Sequence, residues 1–203
     1  MITTTLYHKI RKKNGAFASW AVWEPQGENP KSSMGAQKVF NLETNPTLLA
    51  SLRTDIVMVG LNFSRDLKDP LPFSNFHDET PYANDFKIRY AFLNTPYYGA
   101  YMTDVLKHLV IPDAQSVRDY IKGNPRVLQY HIKAFEEELE DIESYRPMVL
   151  AFGRDAYGAL NRYLDKKRYS ILIPLTHYSH QVRKEKYREA VHSQIAEALK
   201  KQE

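Results

Sequence analysis

Three short segments of the chain are apolar without alternating: Asp55 to Gly60 (DIVMVG), Pro147 to Phe152 (PMVLAF) and Tyr169 to Leu175 (YSILIPL). Strands buried on both faces read this way because neither face needs polar side chains, so the runs predict a parallel sheet covered by helices. Pro174 fits only near a strand end or bulge, since it has no N–H for the ladder. Helices are expected over Tyr101 to Leu109, Ser116 to Lys122, Arg126 to Glu143, Asp155 to Leu164 and Lys184 to Lys200. In the last of these Tyr187, Val191, Ile195, Ala198 and Leu199 make one apolar stripe, with Lys and Glu elsewhere. Phe17 to Trp23 (FASWAVW) reads as an edge strand and Glu24 to Ser33 as a loop, while Ser64 to Asp85, with Pro70, Pro72 and Pro81, is a second irregular stretch. The expected fold is α/β: a three-layer αβα sandwich with a central, mainly parallel sheet. It forms a single domain, 1–203, with 1–40 as a less regular N-terminal extension.

Composition narrows the chemistry. The 203 residues are 43% hydrophobic and 26% charged, which suits one globular domain. Cysteine is absent, which excludes disulfide scaffolds, thiol catalysis, cysteine zinc sites and cysteine-held iron–sulfur clusters. No stretch approaches the ~18 uncharged apolar residues of a membrane span, and the start MITTTLYHKIRKKNG has neither the apolar core nor the cleavage site of a signal peptide. A soluble, cytoplasmic protein is expected, with no membrane partner. The net charge is +4, from 28 Lys+Arg and 24 Asp+Glu, and it is uneven: both ends are basic and the middle is acidic. Basic ends favour a polyanionic partner, nucleic acid above all, although a terminal helix needs solvated lysines in any case.

In open parallel α/β sheets the ligand site lies beyond the carboxyl ends of the strands. The residues following the three runs are polar: Gly60-Leu61-Asn62-Phe63-Ser64, then Gly153-Arg154-Asp155, then Thr176-His177-Tyr178-Ser179-His180-Gln181. A cleft collecting Asn62, Ser64, His177 and Ser179 suits hydrogen-bonding recognition of a polar ligand. Neither G-x-G-x-x-G nor G-x-x-x-x-G-K-[ST] occurs; Gly153 and Gly158 have the spacing of a phosphate loop, but Ala159-Leu160 follow. There is no G-x-S-x-G elbow. His177 and His180 lie three apart without an H-E-x-x-H or a carboxylate set, so no metal and no cofactor is expected.

The order of these pieces, from about residue 55 to 192, resembles the uracil-DNA glycosylase superfamily. Gly60-Leu61-Asn62-Phe63-Ser64 is similar to the motif G-x-[ND]-P-[GS], whose Asn or Asp positions the attacking water. Pro72-Phe73 resembles the aromatic that stacks on the extruded base. Tyr101-Met102-Thr103-Asp104-Val105-Leu106-Lys107 is similar to the Y-[IVM]-T-N-[VL]-[VL]-K segment whose Asn reads the base edge. Glu137 to Leu160, ending RPMVLAFGRDAYGAL, resembles a helix, a K-P-x-[VI]-[IV]-[VL]-x-[LF]-G strand and the next helix. Thr176-His177-Tyr178-Ser179 matches an H-P-S motif, with the basic segment Arg183 to Arg188 behind it. Three positions depart from the pattern: Phe63 and Tyr178 stand where Pro is usual, and Asp104 replaces the base-reading Asn. The lack of cysteine excludes the iron–sulfur branch, although the central motifs resemble that branch most.

The resemblance implies hydrolysis of the N-glycosidic bond of a damaged or mismatched base flipped into the cleft. Asn62 would orient the water and His177 would donate to the base oxygen as negative charge develops there. Leu61, Phe63, Phe73 and Asp104 would hold the base, and Ser64, Ser179, His180, Arg183, Lys184 and Lys186 would meet nucleic acid, expected to be DNA bound by a monomer. Phe76, His77 and Asp78 share the loop of Phe73 and are further candidates for the cleft. Each group also has a structural reading: Asn62 as a turn cap, His177 as a strand-end histidine satisfied by backbone, Phe73 as a loop anchor in the core, Ser179 as a helix cap, Asp104 as a helix carboxylate bonded locally, and the basic face as solvation. Two other functions stay open: a catalytically silent relative that holds a nucleobase or nucleic acid, and a hydrolase or transferase for a small polar metabolite.

Overall fold

The computed structural model describes residues 2–24, 37–63, 71–78, 80 and 83–202. All three non-alternating runs are strands, within β2 (Arg53–Phe63), β4 (Met148–Phe152) and β5 (Ile171–Leu175); β1 (Ser19–Trp20) and β3 (Ala100–Val110) complete the described sheet. Its order is β1-β3-β2-β4-β5, with β2 parallel to both β3 and β4, β4 parallel to β5, and β1 antiparallel to β3 at one edge. The edge strand expected in Phe17 to Trp23 is thus present, although only two residues long. Pro174 sits near the end of β5, at the other edge, where a missing N–H is tolerated.

One expected helix is a strand. Tyr101 to Leu109 forms most of β3, and its polar residues Thr103, Asp104 and Lys107 are buried rather than aligned along a wet helical face. The other four expected helices are present as α4 (Ala114–Gly123), α5 (Val127–Asp141), α6 (Arg154–Tyr163) and α7 (Lys184–Lys200). Three more are α1 (Thr4–Lys13), the four-residue α2 (Leu48–Ser51) and α3 (Asp85–Phe92). Within 2–24 the helix α1 was not expected, and 25–36 lie outside the described residues. Thr3 caps α1 by accepting from the Leu6 N–H at 3.1 Å, and Tyr7 is fully buried, its hydroxyl donating to the Phe40 carbonyl at 2.7 Å.

Side chains of successive strand residues point to opposite faces, and each face has its own core. Val57, Val59, Tyr101, Val105 and Val149 pack with Phe135 and Leu139 of α5 and Leu160 of α6. Met58, Met102, Leu150 and Ile173 pack with Ile88 and Phe92 of α3 and with Tyr187, Val191 and Ile195 of α7. The chain is thus α/β, with a mostly parallel mixed sheet between helices, an arrangement compatible with the expected three-layer sandwich. No helix among the described residues is long and apolar enough to cross a membrane. The chain passes from β2 to β3 on one side and from β3 back across β2 to β4 on the other, so the strand order reverses beside β2. That reversal opens a crevice beyond the carboxyl ends of β2 and β4.

Candidate functional site

A cleft of about 990 Å³ occupies that crevice. Leu61, Asn62 and Phe63 reach it from the end of β2, Asp104 from β3, Arg154 and Asp155 from the start of α6, and His177, Tyr178 and Ser179 from the turn after β5. Two glycines let these walls close together. A Cβ on Gly60 would lie 2.2 Å from Asp104 Oδ1, and Gly153, at φ +88, faces the His177 ring, whose Cδ2 would be 3.2 Å from an added Cβ.

Asn62 is half-buried, and its Nδ2 donates to the Phe63 carbonyl at 2.6 Å and the Ile111 carbonyl at 2.9 Å. The side chain thereby ties the end of β2 to the chain after β3. What it can offer a ligand or water is its acceptor oxygen.

His177 is held in one form. The Ser179 N–H donates to His177 Nδ1 at 3.1 Å, and Ser179 Oγ lies 2.8 Å from the same nitrogen. Burial pushes the imidazole down to about 4, with the nearby Asp155 charge pulling the other way. A neutral ring whose Nδ1 accepts carries its proton on Nε2, so the side chain is an uncharged donor. Ser179 serves this histidine rather than capping α7, whose N-cap is Arg183.

The expected stacking role of Phe73 is overturned by its burial. Its ring is fully buried, packed on Tyr7, Trp20 and Phe40 at centroid distances of 5.6, 6.4 and 5.4 Å, and it does not line the cleft. The aromatic residues that line the cleft are instead Phe63, Phe76, Phe152 and Tyr178; the last three are in mutual contact at 5.5–6.4 Å, and Tyr178 stacks on His177 at 4.4 Å. Of the other candidates in that loop, Asp78 lines the cleft. His77 does not: it is buried away from it, its ring nitrogens 2.9 Å from the Asn75 and Val22 carbonyls.

Asp104 is 2% exposed and lines the cleft floor. Its Oδ2 accepts from Asn75 Nδ2 at 2.8 Å. Burial pushes the carboxyl up to about 6 against the opposing pull of that hydrogen bond and of Lys107. Asn75 is the site residue that sequence reading missed. It also donates to the Phe17 carbonyl at 2.9 Å and accepts from the Phe76 N–H at 3.0 Å, so one amide orients both the carboxylate and the aromatic wall. The only signal for it was its place in a polar loop beside Phe76.

The residues expected to hold nucleic acid do not converge. Ser64 lies outside the described residues. His180 is exposed on a neighbouring groove. Arg183 is exposed at the start of α7, Lys184 lies 5.0 Å from the Tyr90 ring, and Lys186 bonds Glu189 at 2.7 Å; none of the three lines the cleft. Arg188 donates to the Tyr90 carbonyl at 2.7 Å, so part of this basic segment fastens α7 to α3. The described cleft wall is acidic, with Asp78, Asp85, Asp104, Asp113 and Asp155 against Arg154. Asp113 caps α4 through the Ser116 N–H, and Asp155 pairs with Arg118 at 3.1 Å. Among the described residues no group of three or more His, Asp or Glu could hold a metal ion.

No protein-family model, curated protein or solved structure matches the chain.

Proposed function

We propose that this cleft hydrolyses the N-glycosidic bond of a nucleobase turned into it from nucleic acid, DNA first. The observation that carries the reading is His177, kept uncharged by burial with its proton directed to Nε2, in the same cleft as the Asn62 oxygen and an aromatic wall. As the bond breaks, its electron pair leaves with the base and the sugar gains oxocarbenium character. A hydrogen bond from His177 Nε2–H to the base oxygen grows stronger as that charge develops, which lowers the barrier rather than merely tightening binding. Water held by Asn62 Oδ1 joins the sugar carbon and releases its proton to solvent, and the base anion takes up a proton there. Because departure leads, Asn62 positions the water and need not act as a base. Phe76 provides the face expected of Phe73, and extruding the base costs a few kcal/mol.

The test is a panel of duplex and single-stranded oligonucleotides carrying uracil, hypoxanthine, xanthine or mismatches, incubated with the protein and treated with alkali. Strand scission is expected on at least one. If none is cut at high protein excess, hydrolysis is ruled out and the cleft is a binding site.

A further inference from the structure

We infer that the cleft selects a base whose edge presents adjacent hydrogen-bond donors, a guanine-type purine being the fitting class. This rests on the reading of the cleft as a nucleobase site and goes beyond it by naming the base.

The floor of the cleft is an acceptor. Asn75 holds Asp104 Oδ2 through Nδ2, gives its second donor to the Phe17 carbonyl, and accepts the Phe76 N–H on its oxygen, so its polar atoms are committed to the protein. It orients the carboxylate without competing for a ligand. The missing Cβ of Gly60 is what lets Asp104 Oδ1 sit against the β2 backbone, where any side chain would collide with it. An ionised carboxylate accepts and cannot donate. A uracil edge would set its O4 against that charge, whereas the N1–H and N2 amino group of guanine are adjacent donors.

The experiment is equilibrium binding of guanosine and uridine to the full chain at pH 6.5, by calorimetry, for wild type and Asp104→Asn, with melting curves for both. Guanosine is expected to bind at least tenfold tighter than uridine. Asp104→Asn should shrink that preference at least fivefold. Equal binding of the two nucleosides by wild type overturns the inference, as does a ratio unchanged in the variant. Base release from the same nucleosides is measured separately. Preference without release keeps this inference and counts against hydrolysis; release without preference does the reverse.

Discussion

Two carboxylates on opposite sides of β3 are almost equally buried, and they are partnered in opposite ways. Glu138, 3% exposed on α5, receives the Lys107 ammonium in a close ion pair, the Tyr101 hydroxyl at 2.7 Å and the Thr103 hydroxyl at 3.3 Å. Asp104, 2% exposed and facing the cleft, has one neutral amide on Oδ2. Lys107 sits between the two but gives its side-chain donors to Glu138, to Thr103 Oγ1 and to the Asp104 backbone carbonyl. A buried charge matched by a cation and two hydroxyls holds β3 to α5 and is silent chemically. A buried charge left with one amide sits high, at about 6, and keeps the capacity to bind something. The contrast separates structural burial of charge from functional burial within one strand.

The largest effect should come from breaking the structural pair. Lys107→Met leaves Glu138 charged and buried, and should cost about 3–5 kcal/mol. The double variant with Glu138→Gln should recover much of that loss. By contrast, Asp104→Asn removes a poorly compensated charge and should change stability by no more than about 1 kcal/mol near neutral pH. Urea denaturation of the four proteins checks this, and a loss for Asp104→Asn as large as for Lys107→Met would erase the distinction.

A smaller effect lies in pH. Asp104 rises from 3.8 to about 6 on folding, so the native state binds the extra proton and stability falls as pH increases across that window. His177 drops from 6.5 to about 4, so the unfolded state binds the extra proton and stability grows as pH increases across nearly the same window. The two slopes oppose each other in the wild type. Asp104→Asn should therefore gain on the order of 2 kcal/mol relative to wild type between pH 4.5 and 6.5, and His177→Gln should lose a similar amount. Denaturation midpoints measured across that range should diverge in opposite directions; parallel profiles would mean that one of the two groups is not buried as described.

Much of this arrangement was legible in the residues, and the failures share a cause. The stripe of Tyr187, Val191 and Ile195 defined α7 to the residue, and the unalternating runs located β2, β4 and β5. Of the cleft expected from Asn62, Ser64, His177 and Ser179, the three that are described, Asn62, His177 and Ser179, line one cleft. β3 read as a helix because Tyr101, Val105 and Leu109 fall four apart and its polar residues look like a solvated face. Their partners, Glu138 and Asn75, lie 31 to 37 and 29 residues away, and nothing local announces them. Phe73 and Phe76 are likewise indistinguishable in sequence. Both have positive φ, and only the distant rings of Tyr7, Trp20 and Phe40 decide that Phe73 turns into the core while Phe76 remains at the cleft.

The most direct test is single-turnover base release on whichever oligonucleotide the wild type cuts, compared with His177→Ala and Asn62→Ala, with substrate binding measured alongside. Loss of one preorganised donor or one water-positioning group predicts release slowed by roughly a hundredfold or more in each variant with binding little changed. Release as fast as wild type in His177→Ala, or equal losses of binding and turnover in both variants, would contradict a neutral histidine and an asparagine-held water acting on one bond.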